Sequence, residues 1–355
     1  MSSGQKKLTQ PPKDLKEAID WVLRVSGKDV SNGSDEGQKA IGGLAEELIK
    51  LFDKDAGEVA RGVLSVMGEN LKKVVGDLGK RGTSTDMPGY IPKYFLNQSL
   101  VGFQAVADYG SAIDLKKLDK FKKWFKQDVE RNVGPITQLA DALRKFLGYG
   151  NSTVTFDGSG IIKQNGNLYQ KAYGDASWPR KPDEQRTCAL IFLGIAPMLF
   201  LFLAYLYYWC EGHEGWSSQN FTGGSTTLSK YMTAIGFDGE YLSTTKNNGS
   251  QVAEILTKAF QKELTNDNVK TQSHYAFQES LLQAAKEKSS PSDSPLSCCF
   301  TIATPFITPN DTYDVQSTSP AIPSFLSYSG PAVLAGGAYG LNLGGLGTLM
   351  STLLA

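Results

Sequence analysis

Residues 189–209 read ALIFLGIAPMLFLFLAYLYYW, a run of twenty-one residues without a charged side chain. As a helix rising about 1.5 Å per residue, this run would be roughly 30 Å long, which is the thickness of the hydrocarbon core of a bilayer. A helix that is apolar on every side can equally be the central helix of a large bundle. The run therefore predicts either a membrane span or the buried centre of a helical fold.

The residues around this run favour the membrane when composition alone is considered. Aromatic residues cluster at its C-terminal end, as in the interfacial belt of a membrane helix: Tyr205, Tyr207, Tyr208 and Trp209. Pro197 lies inside the run, and proline is tolerated in membrane helices but disfavoured in the interior of soluble ones.

A second uncharged run closes the chain, because no charged residue follows Asp314. Small residues recur there every four positions, a spacing that lets two membrane helices approach closely: Ala332, Gly336, Gly340 and Gly344. We expect a transmembrane segment within residues 331–355. The alternative is a glycine-rich tail that does not meet a membrane.

Composition and motifs argue against catalysis and nucleic-acid binding. Lys plus Arg and Asp plus Glu both number 36, so the basic excess typical of nucleic-acid binding is missing. There are two histidines, no G-x-x-x-x-G-K-[ST] phosphate loop and no G-x-S-x-G nucleophile elbow. We therefore expect no enzyme, no cofactor and no metal site.

Four cysteines are the remaining candidates for special chemistry: Cys188, Cys210, Cys298 and Cys299. If 188–210 is one helix, its two end cysteines lie about 33 Å apart, far beyond the roughly 4.4–6.8 Å between Cα atoms of a disulfide. They cannot pair with each other unless the helix folds back, for example at Pro197. Either one of them pairs with the Cys298–Cys299 doublet, or the thiols are free and buried.

Helical spacing of apolar residues dominates the chain, so we predict a mainly α fold with several helices, long irregular loops and a C-terminal transmembrane helix. Asp14 followed by Glu17 resembles a capping box, and Gly27 is a plausible helix stop. The predicted segments are a disordered tail (1–13), an N-terminal helical region (14–148), a variable loop region (149–187), a central helical region (188–288), a Pro/Ser-rich linker (289–330) and the transmembrane segment (331–355).

Five blocks of the sequence resemble the variant erythrocyte surface antigens of babesial red-cell parasites. They are PPKDLKEAIDWVLRVSGKD (11–29), GQKAIGGLAEELIKLF (37–52), CALIFLGIAPMLFLFLAYLYYWC (188–210), GWSSQNF (215–221) and SGPAVLAGGAYGLNLGG (329–345). The blocks occur in order from residue 11 almost to the end, and the core of the first, LKEAIDW, is specific enough to make chance an unsatisfactory explanation.

This resemblance implies an antigenically variable protein on the surface of the infected red cell, used in immune evasion and in adhesion to endothelium. Its expected partners are a membrane, a second subunit of the same family, an unidentified endothelial receptor and host antibodies. Family members lack an ordinary signal peptide, and the start MSSGQKKLTQPPKD has no apolar stretch of that kind.

The resemblance also implies a membrane anchor near the C terminus, which makes 189–209 a buried ectodomain helix. The cysteine- and lysine-rich region of the longer alpha subunits is missing, so the chain resembles a short, beta-like or truncated member. An integral membrane scaffold or transporter-like protein with two spans, 189–209 and 331–355, is the alternative. Among exposed loops, we expect Tyr149–Pro182 and Glu211–Thr227 to carry the variable positions.

Overall fold

The structure, a computed structural model, describes residues 5–28, 35–81, 104, 107–108, 119–150, 155–164, 168–174, 177–212, 214–221, 226–244 and 247–264. Within these ranges the chain is mainly helical, with isolated β-bridges and no β-strand. The helices are α1 (Leu15–Ser26), α2 (Asp35–Leu51), α3 (Ala56–Arg81), α4 (Asp119–Arg131), α5 (Pro135–Leu147), α6 (Pro182–Gly212), α7 (Glu214–Ser217), α8 (Thr227–Ala234) and α9 (Gly249–Leu264). The prediction of a mainly α fold is confirmed.

Helix α1 begins and ends where its sequence predicts. The Asp14 carboxylate accepts a hydrogen bond of 2.8 Å from the backbone N–H of Glu17, which satisfies one of the unpaired donors of the first turn. Gly27 ends the helix in the left-handed conformation, with φ of 66°. The apolar stripe that includes Leu15 and Ile19 is fully buried. Local sequence therefore sets both ends of this element, while burial of its apolar stripe supplies most of its stability.

Helix α6 contains the uncharged run and lies at the centre of the fold. It is continuous from residue 182 to 212, through Pro197, and it packs against α1, α2, α3 and α9. Its described side chains between Cys188 and Tyr207 are buried by protein. Such burial favours the central-helix interpretation of residues 189–209. In the part of the chain that the structure describes, none of the helices qualifies as a candidate membrane span.

Glycines allow α3 and α6 to approach each other closely. A Cβ added to Gly194 of α6 would lie 2.6 Å from Met67 Cγ, and one added to Gly62 of α3 would lie 3.0 Å from Leu190 Cδ2. Side chains at these positions would force the helices apart or displace their neighbours. Close packing thus explains Gly62, a residue that lowers helix propensity.

The N-terminal residues 5–13, named here the N-terminal strap, are not the disordered tail that the sequence predicts. Leu8 is only 3% exposed, and its carbonyl accepts a hydrogen bond of 2.8 Å from the Trp21 indole. The Lys6 N–H donates to the carbonyl of Ala172 at 2.9 Å. The anchors come from distant parts of the chain, which explains why a polar, Pro-ending sequence gave no sign of them.

The described residues between α5 and α6 (148–150, 155–164, 168–174 and 177–181) are not helical, and much of this segment is packed into the core. Apolar or aromatic residues anchor it at intervals and are nearly or fully buried: Phe156, Ile161, Ile162, Tyr169 and Tyr173. Two of these residues, Phe156 and Tyr169, belong to a row of four aromatic rings in contact. The row runs Tyr149, Phe156, Tyr169, Tyr241, with successive centroid distances of 4.3, 5.3 and 5.2 Å. Several residues between the anchors are exposed, including Gln164 and Leu168.

Several sequence-based predictions fall outside the described residues. These are the linker 289–330, the transmembrane segment 331–355 with its ladder of small residues (Ala332, Gly336, Gly340 and Gly344) and the doublet Cys298–Cys299. The segment boundaries therefore remain predictions.

Candidate functional site

The two described cysteines are free thiols inside the protein. Cys188 and Cys210 lie near opposite ends of the continuous helix α6, so a bridge between them by folding back at Pro197 does not occur. Burial, with a smaller effect of the nearby Glu184 charge, raises the pKa of Cys188 to about 12. Burial also raises the pKa of Cys210. Both are therefore neutral, unreactive thiols at physiological pH.

The most distinctive polar arrangement is a line of three carboxylates along α1. Asp14, Glu17 and Asp20 are spaced three residues apart, which places them on one side of the helix. Glu17 and Asp20 are 7% and 5% exposed, which is unusual for acidic residues. Buried carboxylates must find donors or partner charges to offset the loss of water. The hydrogen-bond partners of these carboxylates show which chain segments pack on this face of α1.

Glu17 receives its donors from the N-terminal strap. The ammonium group of Lys6 donates to Glu17 Oε2 at 2.6 Å, and the backbone N–H of Lys13 donates to the same oxygen at 3.0 Å. Lys13 Nζ lies 3.2 Å from Oε1. Burial alone would raise the pKa of Glu17, but these hydrogen bonds and the two lysine charges outweigh it and hold the pKa below its ordinary value. Glu17 is therefore charged at neutral pH.

Asp20 joins α1 to the segment 168–174. Its Oδ1 accepts from the Tyr169 hydroxyl at 2.7 Å, and its Oδ2 accepts from Lys16 Nζ at 2.8 Å and from the Ala172 N–H at 3.1 Å. Burial is the largest influence and raises the pKa of Asp20 in spite of these donors. Lys16 also lies over the Tyr169 ring, 4.6 Å from its centroid. The group is a structural junction whose donors come from α1 itself and from the segment 168–174.

A fourth carboxylate, Asp128 of α4, joins two chain segments at the α4–α5 junction. It is fully buried and accepts from the N–H groups of Ile136 and Thr137 at 3.0 and 3.1 Å and from the Thr137 hydroxyl at 2.8 Å. It thereby caps the start of α5, whose N-cap residue, Gly134, has no side chain to do so. Burial raises the pKa of Asp128 to about 6 against the effect of these hydrogen bonds.

One shallow groove lies between α5, α9 and the loop at Gly158. It has a volume of about 350 Å³, and the residues that line it include Lys145, Ser159, Gln251 and Lys258. Its charged and hydroxyl groups already bind within the chain, since Ser159 donates to Asp157 and Lys258 pairs with Glu254. Among the described residues no set of three or more His, Cys, Asp or Glu is arranged to hold a metal ion.

The carboxylate junctions were not predicted from the sequence, although the sequence contains two signals that indicate them. An acidic residue every third position in a helix whose other side is apolar indicates that the acidic side is also contacted. A glycine N-cap before Pro135 indicates that another group must satisfy the first N–H donors of α5. The partners themselves, such as Tyr169, lie about 150 positions away from α1 and leave no local pattern.

The four carboxylates can position chain segments, and each is engaged by donors of this chain rather than directed towards an open cavity. Comparisons with known proteins add no assignment: no family model, curated protein or solved structure matches this chain.

Proposed function

We propose that this protein is an antigenically variable component of the surface of infected red cells, of the kind that the variant erythrocyte surface antigens represent. In this function it carries no catalytic activity. It serves immune evasion and adhesion to endothelium, together with a second subunit of the same family. Residues 331–355 are its proposed membrane anchor, and the preceding chain faces outward.

The observation that supports this proposal is where the resembling blocks lie in the fold. Block 11–29 covers α1, block 37–52 covers most of α2, and block 188–210 is the centre of α6. Block 215–221 contributes the buried rings of Trp216 and Phe221. All four are core elements, whereas several positions between the anchors of residues 155–174, among them Gln164, Leu168 and Gln170, are exposed. A protein that must vary under antibody pressure is expected to keep its core pattern and change its exposed loops.

Antibodies against two segments of the chain test the proposal on intact infected cells. Antibodies raised against residues 155–182 should label the cells without permeabilisation. Antibodies against residues 188–210 are the matched control, because the described side chains of this segment are buried apart from the partly buried Trp209 and should react only after denaturation. Labelling by the first antibody that requires permeabilisation would overturn the proposed location.

A second subunit and an adhesive role require their own measurement. The full chain, tagged and recovered from infected cells with mild detergent, should bring down a second protein with the same blocks. Infected cells that lack the chain should adhere less to endothelial cells under flow. Unchanged adhesion after its removal would contradict the adhesive part of the proposal.

A further inference from the structure

The N-terminal strap is attached to the rest of the protein mainly by polar contacts. Within residues 5–13, Leu8 and Pro12 are the buried apolar residues. Its backbone also accepts hydrogen bonds, among them those from Trp21 to Leu8, from Tyr173 to Gln10 and from Asn70 to Pro11. Each of these donors belongs to the body of the fold, so the strap supplies little of the protein's own core.

Glu17 is the point where the ends of the strap are held together. One carboxylate binds Lys6, near the beginning of the strap, and both the N–H and the ammonium group of Lys13, at its end. Its side chain is 9% exposed, so these charge-assisted contacts are shielded from solvent. Removing this one carboxylate would leave Lys6 and Lys13 without their common acceptor.

Beneath the strap lies an aromatic surface that connects to the centre of the fold. Trp21 is fully buried, its indole N–H donates to the Leu8 carbonyl, and its ring lies 6.4 Å from that of Phe192 in α6. The strap also forms backbone hydrogen bonds with segment 168–174. The Lys6 N–H donates to the Ala172 carbonyl, and the Gly174 N–H donates to the Lys6 carbonyl. Lifting the strap would uncover both features.

From this arrangement we propose that residues 5–13 form a detachable cover on α1, latched by the Glu17 carboxylate and able to open without unfolding the helical body. Opening exposes the Trp21 indole and the backbone groups of residues 172–174. The inference does not depend on the proposed function, since it concerns only the contacts of this chain.

The latch should respond to acid in a definite direction. The charged or titratable groups around Glu17 are Lys6 and Lys13 of the strap, Asp14 of its own helix and Tyr173 of the facing segment. Because the pKa of Glu17 in the folded protein is below its ordinary value of 4.5, the latch is complete above that pH. It is lost as the pH falls through the lower, folded-state value.

Hydrogen exchange on the full chain with the substitution Glu17→Gln tests the proposal at neutral pH. The amides of Lys6 and Gly174, which bond across the strap, should exchange roughly ten to a hundred times faster, as expected when shielded charge-assisted contacts are lost. Amides within α5 and α6 should keep their protection. Glu69→Gln is the matched control, because Glu69 makes an ion pair with Lys72 while its side chain is 90% exposed.

Two results would overturn the inference. Unchanged exchange at Lys6 and Gly174 in the Glu17→Gln variant would mean that Glu17 is not the latch. Loss of protection in the strap together with α5 and α6 would mean that the strap does not open separately. If Glu17→Gln does not fold, Lys6→Met removes the same contact from the strap side, and trypsin cleavage after the exposed Lys7 then reports opening.

Discussion

Helices α6 and α1 are both buried, but different interactions hold them. From Cys188 to Tyr207 every described side chain of α6 is apolar, aromatic or a thiol, and all are buried. Helix α1 has an equally buried apolar side, yet it also buries Glu17 and Asp20, which bind groups from two other segments. Apolar burial is non-directional and supplies most of the stability, whereas a buried carboxylate with fixed donors specifies which segment lies where. The predictions below test this division.

The largest effect is expected in the apolar centre. Leu199→Ala in α6 should lower the free energy of unfolding by about 2–5 kcal/mol, because it leaves a cavity among fully buried neighbours. Leu168→Ala makes the same chemical change at a side chain that is 60% exposed and should stay within about 0.5 kcal/mol of the parent. Urea titrations of both variants measure the difference. Equal effects would contradict a central position for α6.

The next effect concerns two glycines at the start of the packed loop. Gly148 and Gly158 have φ of 92° and 77°, so both disfavour alanine. A Cβ at Gly148 would also lie 2.6 Å from the backbone nitrogen of Gly160, whereas the nearest atom at Gly158 is 3.6 Å away. We expect Gly158→Ala to cost about 1 kcal/mol and Gly148→Ala about 2–4 kcal/mol in thermal or urea unfolding. Equal costs would mean that residues 148 and 160 are not in contact.

At the α4–α5 junction, Asp128 provides a direct test of a polar contact. Asp128→Ala should cost about 2 kcal/mol, because the N–H groups of Ile136 and Thr137 lose a buried acceptor. Asp128→Asn keeps one acceptor oxygen and removes a buried charge, so it should cost less than half as much. Urea unfolding measures both. An asparagine variant as unstable as the alanine variant would show that the charge itself, rather than the cap, is needed.

The smallest effect is a pH dependence that distinguishes the carboxylates. Burial raises the pKa of Asp14 and of Asp128 to about 6, above the ordinary 3.8. A raised carboxyl pKa means that the folded state binds the proton more tightly, so these two groups add stability below about pH 4 and lose it as the pH rises towards 6 and above. Stability should therefore increase on moderate acidification from pH 7 to pH 5. In Asp128→Asn this increase should be reduced, and an identical pH profile would contradict the raised pKa.

Local sequence patterns were enough to predict the ends of a helix whose capping residues adjoin it in the sequence. Asp14 and Gly27 placed the two ends of α1 correctly, because each is a local capping signal. Composition could not decide whether residues 189–209 meet lipid or protein, because both environments select the same side chains. The packing of α6 against α1, α2, α3 and α9 supplies the information that the run itself lacks.

Long-range contacts explain what sequence reasoning did not predict. The strap is polar and contains Pro11 and Pro12, so nothing local indicates that Leu8 is buried against Trp21. Residues 155–174 have the Gly, Asn and Tyr content of a surface loop, yet Tyr169 and Tyr173 reach partners near the N terminus. In both segments the hydrogen bonds that hold the chain in place join residues 13 to 163 positions apart in the sequence.

The central position of α6 also affects how the chain is made. Helices α1, α2 and α3 all pack against α6, but they leave the ribosome before it, and at about 5–20 residues per second the chain between them takes on the order of ten seconds to synthesise. During that interval their apolar sides lack the helix that will cover them. Nascent chains that end just before residue 182 should therefore be prone to aggregation and depend on chaperones, although they already contain all of α1 to α5.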